Sequence, residues 1–308
     1  MKDEITVSIS CTTYNHSKYI RECLDGFLMQ QCNFKFEVLI HDDASTDDTQ
    51  EIIKEYQAKY PEIIKPILRK INLYSQGERE FNARFNVSRA EGKYIAMCEG
   101  DDYWIDPLKL QKQVSFLEAN PTCSLVFTGC EIHKSNGEKK TIQYKINHLI
   151  DVNEYLTNSY FMATASLLFK KEVFSEAKSE EWMSKAFAGD FILRYKALTI
   201  GKIGYVDSIA VVYNKGTEGS WSNRKLTEAV IAKEYNDNVL ALQYVKNHIP
   251  TLSQEVYNFK MERLNDAVFY KQALRRGGVR GLLYLIKNYN LRMSFYIGAY
   301  VKYLYTKR

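Results

Sequence analysis

The sequence predicts an α/β fold, in which helices cover a parallel sheet, with a helical extension at the C-terminal end. Three observations predict it. Short β-branched runs alternate with amphipathic segments through the first half, polar acid-rich peptides follow three of these runs, and the last third has apolar residues at helical spacing. With 308 residues, 45% of them hydrophobic, the chain can bury one large core or two modest ones.

The first half is predicted to alternate strands and helices. The predicted strands cover residues 5–12, 36–41, 63–68, 94–97 and 124–133, and the predicted helices cover residues 20–31, 49–60, 81–91 and 108–119. Asp47 and Asp48 stand three residues before Gln50 and Glu51, which is a capping signal for the second helix. Its start is therefore well defined. A turn is expected at Asn136 and Gly137.

The alternation loosens in the second half. Two strands are predicted over residues 163–169 and 203–213, on either side of a helix over 187–198. Beyond them, residues 226–247 and 253–275 carry apolar side chains at helical spacing. We therefore expect one sheet-based domain over residues 1–222 and a helical extension over 223–308.

Polar side chains follow three of the predicted strands. The first strand is followed by Thr13, Tyr14 and Asn15, and the other two are followed by acidic peptides at 42–45 and 99–102. In an open parallel sheet, ligands bind beyond the carboxyl ends of the strands, so five carboxylates would meet at one rim and repel one another. A divalent cation would relieve that repulsion. Carboxylate oxygens suit Mg²⁺ or Mn²⁺, and a His/Cys cluster of the kind zinc prefers does not occur in the sequence.

These three peptides, in this order and at these strand ends, resemble the inverting family-two glycosyltransferases of the GT-A fold. The resemblance covers residues 7–30, 38–49 and 92–118. It implies transfer of a sugar from a nucleotide diphosphate, with uridine the usual nucleoside. It also divides the sheet domain into a nucleotide-sugar half, residues 1–105, and an acceptor half, residues 106–222.

The resemblance also implies roles for individual residues. The nucleotide would be bound by Thr13, Tyr14, Asn15, Asp42, Asp43 and Arg84; the donor sugar and diphosphate by Glu99, Asp102 and Lys215; and the metal by Asp101. Glu99 stands where the family more often has aspartate. Asp190, at the start of a predicted helix, would be the catalytic base that takes the acceptor proton. The peptide at 213–222 occupies the place of a family segment that often contains histidine, and it has none.

Other interpretations of the same residues stay open. Asp42, Asp43 and Asp190 are also residue types that begin turns and cap helices without any catalytic role. A nucleotidyltransferase would need a similar sheet, metal and nucleotide, but normally adds a glycine-rich phosphate loop near the N-terminus. A non-catalytic module that binds nucleotide sugars is the second alternative, and Asp190 argues against it.

Charge and cysteine content suggest a location. No acidic residue follows Asp266, whereas residues 267–308 contain nine Lys or Arg and seven Tyr. We expect this tail to bind an anionic membrane surface, and a solvated helix surface is the alternative that the same residues leave open. The expected partner is a glycan or lipid-linked acceptor, and no nucleic acid is expected. The six cysteines show no CxxC spacing, and residues 1–20 show no signal-peptide pattern. A cytoplasmic location, peripheral to the inner face of the cell membrane, is therefore expected.

Overall fold

The structure is a computed structural model that describes residues 4–78, 82–158, 160–175, 180–186, 189–217, 225–287 and 299–300. It divides into two compact units. The first contains residues 1–151 and 159–223, and the second contains residues 152–158 and 224–308. The predicted domain boundary, between residues 222 and 223, lies outside the described residues.

A mixed sheet of nine strands forms the centre of the first unit. The strands are β1 (Ile5–Thr13), β2 (Lys35–Asp42), β3 (Ile64–Leu68), β4 (Tyr94–Glu99), β5 (Tyr103–Trp104), β6 (Cys123–Lys134), β7 (Lys139–Ile142), β8 (Leu168–Lys170) and β9 (Lys202–Lys215). Their order is β3-β2-β1-β4-β8-β6-β9-β5, with β7 paired to β6. Strands β1 to β4 are parallel to one another, and β8 runs antiparallel to both of its neighbours.

Four helices belong to the first unit with the sheet, and four other helices form the described part of the second unit. The first unit contains α1 (Ile20–Leu28), α2 (Thr49–Lys59), α3 (Lys109–Ala119) and α5 (Gly189–Ile200), and the second contains α4 (Val152–Thr157), α6 (Glu228–His248), α7 (Gln254–Arg276) and α8 (Gly278–Lys287). Val7, Ile9 and Cys11, on one face of β1, are fully buried in the main core, and Ser8 and Ser10 on its other face are buried as well. Burial on both faces is typical of a central parallel strand.

The start of α2 agrees with the predicted capping signal. The helix begins at Thr49, whose backbone N–H and hydroxyl both donate to Oδ1 of Asp47, at 3.1 and 2.5 Å. Asp48 makes no side-chain capping bond. One of the two acids therefore does the capping, and Oδ2 of Asp47 accepts the N–H of Ser17 at 3.0 Å.

Two predicted elements are wrong. Instead of a helix over 81–91, Asn82–Asn86 is a π-helical turn and Val87–Arg89 a 3-10 turn, while residue 81 lies outside the described residues. The amide of Asn86 donates to the Ser10 hydroxyl at 3.0 Å and the Cys11 carbonyl at 3.1 Å, so side-chain bonds to β1 shape this segment. The predicted strand over 163–169 is mostly a 3-10 turn, Thr164–Ser166, followed by the short β8.

All six cysteines are free thiols. None of the helices within the described residues is long and apolar enough to cross a membrane. In the second unit, Thr227 and Ser253 cap α6 and α7 with their side chains, and Lys271 of α7 pairs with Glu234 of α6 at 2.8 Å. Ala273, Leu285 and Tyr300 form a small buried cluster there.

Candidate functional site

Three carboxylates meet at the carboxyl end of β4. Glu99, Asp101 and Asp102 each place one oxygen within 4.8 Å of the others, and among the described residues they are the one such group of possible metal ligands. The turn that carries them is held beside β1, because the N–H of Gly100 donates to the Thr12 carbonyl at 2.9 Å. The cluster therefore lies where the sequence predicted a ligand site.

Asp102 is the most buried of the three, with 1% of its surface exposed. Its Oδ1 accepts the backbone N–H of Asn214 at 2.8 Å, whereas Oδ2 has no hydrogen-bond partner among the residues that the structure describes. Burial, with the charges of Asp101 and Glu99 adding to it, raises the pKa of Asp102 well above its ordinary range. A buried carboxylate oxygen without a partner is costly unless a ligand satisfies it.

Glu99 keeps part of its surface exposed, yet loss of hydration is the main reason why its pKa rises to about 8. The charges of Asp101 and Asp190 raise that pKa further. Three acids that destabilise one another's charge, all with hard oxygen donors, fit a divalent cation such as Mg²⁺ or Mn²⁺. The side chains present therefore suit the predicted metal.

The end of β9 and the loop after it hold Asp101 in place. Thr217 donates its hydroxyl to Oδ2 of Asp101 at 2.9 Å, and the Asn214 amide donates to the Asp101 backbone carbonyl at 2.7 Å. Sequence reasoning missed both residues, which lie more than a hundred positions from the acids. Lys215, predicted to bind the diphosphate, lies between them and is exposed at the end of β9.

The loop after β1 places the predicted base-binding residues at the surface. The Tyr14 ring is 43% exposed, whereas Thr13 is buried. Asn15 has a left-handed backbone, with φ of 55°, and its Oδ1 accepts the N–H of Thr46 at 2.7 Å. Its own N–H donates to the Ser45 hydroxyl at 2.8 Å. Asn15 thus joins this loop to the one after β2.

Asp42 and Asp43 are both buried and both organise loops. Asp42 accepts hydrogen bonds from the Ser45 hydroxyl, from the Ser45 N–H at 3.0 Å and from the Gln50 amide at 2.5 Å. Asp43 accepts the N–H groups of Leu73 and Tyr74 at 2.8 and 2.9 Å. A carboxylate has about four acceptor positions, so these bonds leave capacity for a ligand. The predicted contact with the base stays a prediction.

Arg84 is exposed and forms an ion pair with Glu78. Its guanidinium also lies 5.5 Å from the centre of the Phe85 ring. The ring of Phe85 also stacks on the ring of His41, with ring centres 4.6 Å apart. Burial and the charge of Arg69 lower the pKa of His41 to about 4, so His41 is a neutral packing residue. The predicted contact between Arg84 and a diphosphate stays a prediction.

Asp190 lies in the first turn of α5 and pairs with Arg194 one turn later, at 2.7 Å. Its charge contributes to the raised pKa of Glu99, which places the Asp190 carboxylate within electrostatic range of the acidic cluster. The sheet therefore brings together the predicted metal ligands and the predicted base, although they are about ninety residues apart in the sequence.

His16 is a site residue that sequence reasoning missed. Its Nδ1 lies 3.2 Å from the Thr13 hydroxyl, and its backbone N–H donates to the Thr49 hydroxyl at 2.9 Å. Burial lowers the pKa of His16, against the opposing charges of Asp101, Asp47 and Asp42. The available signal was its place directly after the Thr-Tyr-Asn peptide.

The mixed sheet, with the acidic cluster at the end of β4, has the GT-A fold. S. aureus TarS, solved as residues 1–349 with UDP-GlcNAc, has the same fold, with a TM-score of 0.65 at 20% identity over 86% of this chain and 73% of that one. An uncharacterised protein of Mycobacterium tuberculosis, Rv1520, is 35% identical over 216 residues, which are 70% of this chain and 60% of the relative. The chondroitin synthase of Escherichia coli is 27% identical over 241 residues, 76% of this chain and 32% of the synthase.

The family model for glycosyl transferase family 2 matches residues 8–177. The chain therefore belongs to this family. The matched region spans about 60% of the length of the mycobacterial relatives.

Proposed function

We propose that this protein transfers a sugar from a nucleotide-diphosphate donor, a UDP-sugar, to an acceptor hydroxyl with inversion at the anomeric carbon. The observation that carries the proposal is the acidic cluster of Glu99, Asp101 and Asp102, beside the loops after β1 and β2. Within it, the buried Oδ2 of Asp102 has no hydrogen-bond partner among the described residues. Family membership supports the transfer of a sugar. The UDP-GlcNAc bound to TarS supports the choice of nucleotide.

The donor base would lie against Tyr14, because this ring is exposed at the end of β1, next to Thr13. Asp42 or Asp43 would accept a hydrogen bond from the uracil, using acceptor positions that their loop bonds leave open. Arg84 and Lys215 carry the positive charges that would reach the diphosphate. For Arg84 this requires release from Glu78.

Asp101 would hold the divalent cation, Mg²⁺ or Mn²⁺, with Glu99 and Asp102 beside it. When bound, such a cation stabilises the negative charge of the departing nucleoside diphosphate. Thr217 fixes the orientation of the Asp101 carboxylate, and Asn214 fixes Asp102 through its backbone. The second oxygen of Asp102 has no hydrogen-bond partner among the described residues, and this oxygen would orient the donor sugar.

Asp190 would act as the base. Its carboxylate would accept the proton of the acceptor hydroxyl as that oxygen attacks the anomeric carbon from the face opposite the leaving group, which gives inversion. The ion pair with Arg194 holds the Asp190 carboxylate in one orientation. Residues 1–105 would thus bind the donor and residues 106–222 the acceptor, a glycan or lipid-linked chain in cell-surface polysaccharide synthesis.

The test is calorimetric titration of UDP into the full chain, with Mn²⁺ and again with excess chelator. We expect binding that the chelator abolishes, and binding of UDP in preference to GDP. The Asp101→Asn variant should lose at least about tenfold in UDP affinity, because a metal ligand is removed.

Asp48→Asn is the matched control, since Asp48 is an exposed acid near the site whose side chain makes no capping bond. Undiminished UDP affinity in Asp101→Asn would remove the metal assignment. A donor-hydrolysis screen across nucleotide sugars then identifies the sugar, and hydrolysis of none of them would favour the non-catalytic binding module.

A further inference from the structure

Helix α8 presents an apolar stripe to solvent. Val279, Leu283 and Ile286 are 69%, 59% and 52% exposed. At about 100° per residue, these three side chains fall within an arc of about 60° on the helix surface. They follow the i, i+4, i+7 spacing of one helix face.

The stripe is not required for the packing of the second unit. The opposite face of α8 is the one that packs, since Gly281 and Leu285 are buried and Leu282 lies against the cluster of Ala273 and Tyr300. Helix α8 is therefore apolar on two faces, one inside and one outside. Exposed apolar side chains that line up along a helix mark an interaction surface.

Basic residues flank the stripe. Arg280 and Lys287 are exposed and lie about 40–60° around the helix from Leu283. Among the described residues, neither is paired with a carboxylate, whereas Lys271 and Arg275 of α7 pair with Glu234 and Glu228. Arg280 and Lys287 thus place two basic charges, unpaired with any described carboxylate, beside the apolar stripe.

We propose that α8 lies on an anionic lipid surface, with Val279, Leu283 and Ile286 inserted at the level of the headgroups and Arg280 and Lys287 against the lipid phosphates. A short amphipathic helix with an apolar face and flanking basic residues has the chemistry that binds such surfaces. A protein partner fits less well, because three side chains offer far less than the roughly 1,200 Å² that a stable protein interface buries.

The sequence predicted membrane binding by the whole of residues 267–308, whereas this proposal assigns it to one face of α8. It does not depend on the proposed function. The test is co-sedimentation of the full chain with vesicles that contain anionic phosphatidylglycerol and with vesicles of phosphatidylcholine alone. We expect binding to the anionic vesicles, weakened by salt because surface charges are screened. The double variant R280Q/K287Q should lower the partition coefficient by about fivefold for each charge removed.

Leu283→Ser should lower the partition coefficient by about threefold or more, because an inserted apolar side chain is lost. Its matched control is Ile71→Ser, since Ile71 is 60% exposed in the first unit. K54Q/K59Q is the control for charge, because both lysines are exposed on α2. Helical content by circular dichroism should not change in any of these variants.

Three results would overturn the proposal. The first is equal vesicle binding by Leu283→Ser and Ile71→Ser, and the second is equal binding to vesicles with and without anionic lipid. The third is a change of molar mass by light scattering in the triple variant V279S/L283S/I286S while its vesicle binding stays at the wild-type level. That result would assign the stripe to contact between two copies of the chain.

Discussion

Lys109 is a fully buried cation beneath the candidate site. Its Nζ lies 4.0 Å from the centre of the Trp104 ring and donates to Oε1 of Gln113 at 2.8 Å. Gln113 in turn donates to the backbone carbonyls of Val126 and Ser166 at 3.3 and 2.8 Å. Burial lowers the pKa of Lys109 to about 7, although the nearby Cys98 and Asp106 act in the opposite direction. We predict that replacing Lys109 by Met changes the pH dependence of folding.

The direction and size follow from the pKa. In the unfolded chain Lys109 keeps its proton up to the ordinary lysine pKa of about 10.4, whereas the folded chain releases it near pH 7. The unfolded state therefore binds more protons above pH 7, and stability rises with pH in that window. At 1.36 kcal/mol per pKa unit, this amounts to about 2 kcal/mol of added unfolding free energy between pH 6 and pH 8.5. The Lys109→Met variant should lack this increase.

Urea unfolding followed by tryptophan fluorescence, in chelator, measures the free energy at each pH. Thiols begin to ionise in the unfolded chain as the pH approaches 8.5, whereas burial raises the pKa of those such as Cys98 in the fold. Wild type and Lys109→Met share this contribution, so the difference between their pH profiles reports Lys109. Lys112→Met is the control, because Lys112 is on the same helix with its side chain 41% exposed. Parallel pH profiles for wild type and Lys109→Met would refute the reasoning.

Three further predictions concern the site and its surroundings. Asp190→Asn should reduce the rate of sugar transfer by roughly 10²–10⁴-fold, because the base is lost, while UDP affinity by calorimetry stays at the wild-type level. Gly100→Ala should weaken UDP binding and lower the melting temperature, because a Cβ there would lie 2.6 Å from the Thr13 hydroxyl. His41→Phe should reduce acid sensitivity: the lowered pKa of His41 costs up to about 3 kcal/mol of unfolding free energy as the pH falls from 6.5 to 4, measured by urea unfolding.

For each of these three variants, one experimental result would contradict the prediction. Normal transfer by Asp190→Asn would make Asp190 a helix-capping residue only, and loss of UDP binding would move it to the donor site. Wild-type UDP affinity in Gly100→Ala would separate this turn from the nucleotide. An unchanged loss of stability between pH 6.5 and pH 4 in His41→Phe would show that other groups cause it.

The sequence was sufficient to predict the strands that carry the site. β1, β2 and β4 are short runs of β-branched and other apolar residues, and their burial on both faces makes the pattern clear. The fold and the family followed from the polar peptides at their ends. Elements that depend on distant partners were not predictable. β5 has two residues and exists because Tyr103 and Trp104 pair with β9, over a hundred positions away.

The same limit applies to the site. The positions of Glu99, Asp101 and Asp102 follow from one strand end, so local pattern was enough to group them. Their supports, Asn214 and Thr217, come from a different part of the chain. The peptide at 213–222 occupies the place of a family segment, but no local signal shows that these two residues bond to the acids. The turns at residues 82–89 were predicted as a helix because apolar spacing does not reveal that asparagine side chains bond to β1.

The loops after β1 and β2 form one hydrogen-bonded clasp. Asn15 holds Ser45 and Thr46, Ser17 holds Asp47, and His16 holds Thr49. If these loops bind the nucleotide as proposed, grafting either loop alone from another enzyme would do little to change nucleotide preference, because the graft would break bonds made by the loop left behind. Residues 13–17 and 42–49 would have to be exchanged together, with the bonds from Asp42 to Gln50 and from Asp43 to Leu73 and Tyr74 kept, and variation in one of these segments constrains what the other can tolerate.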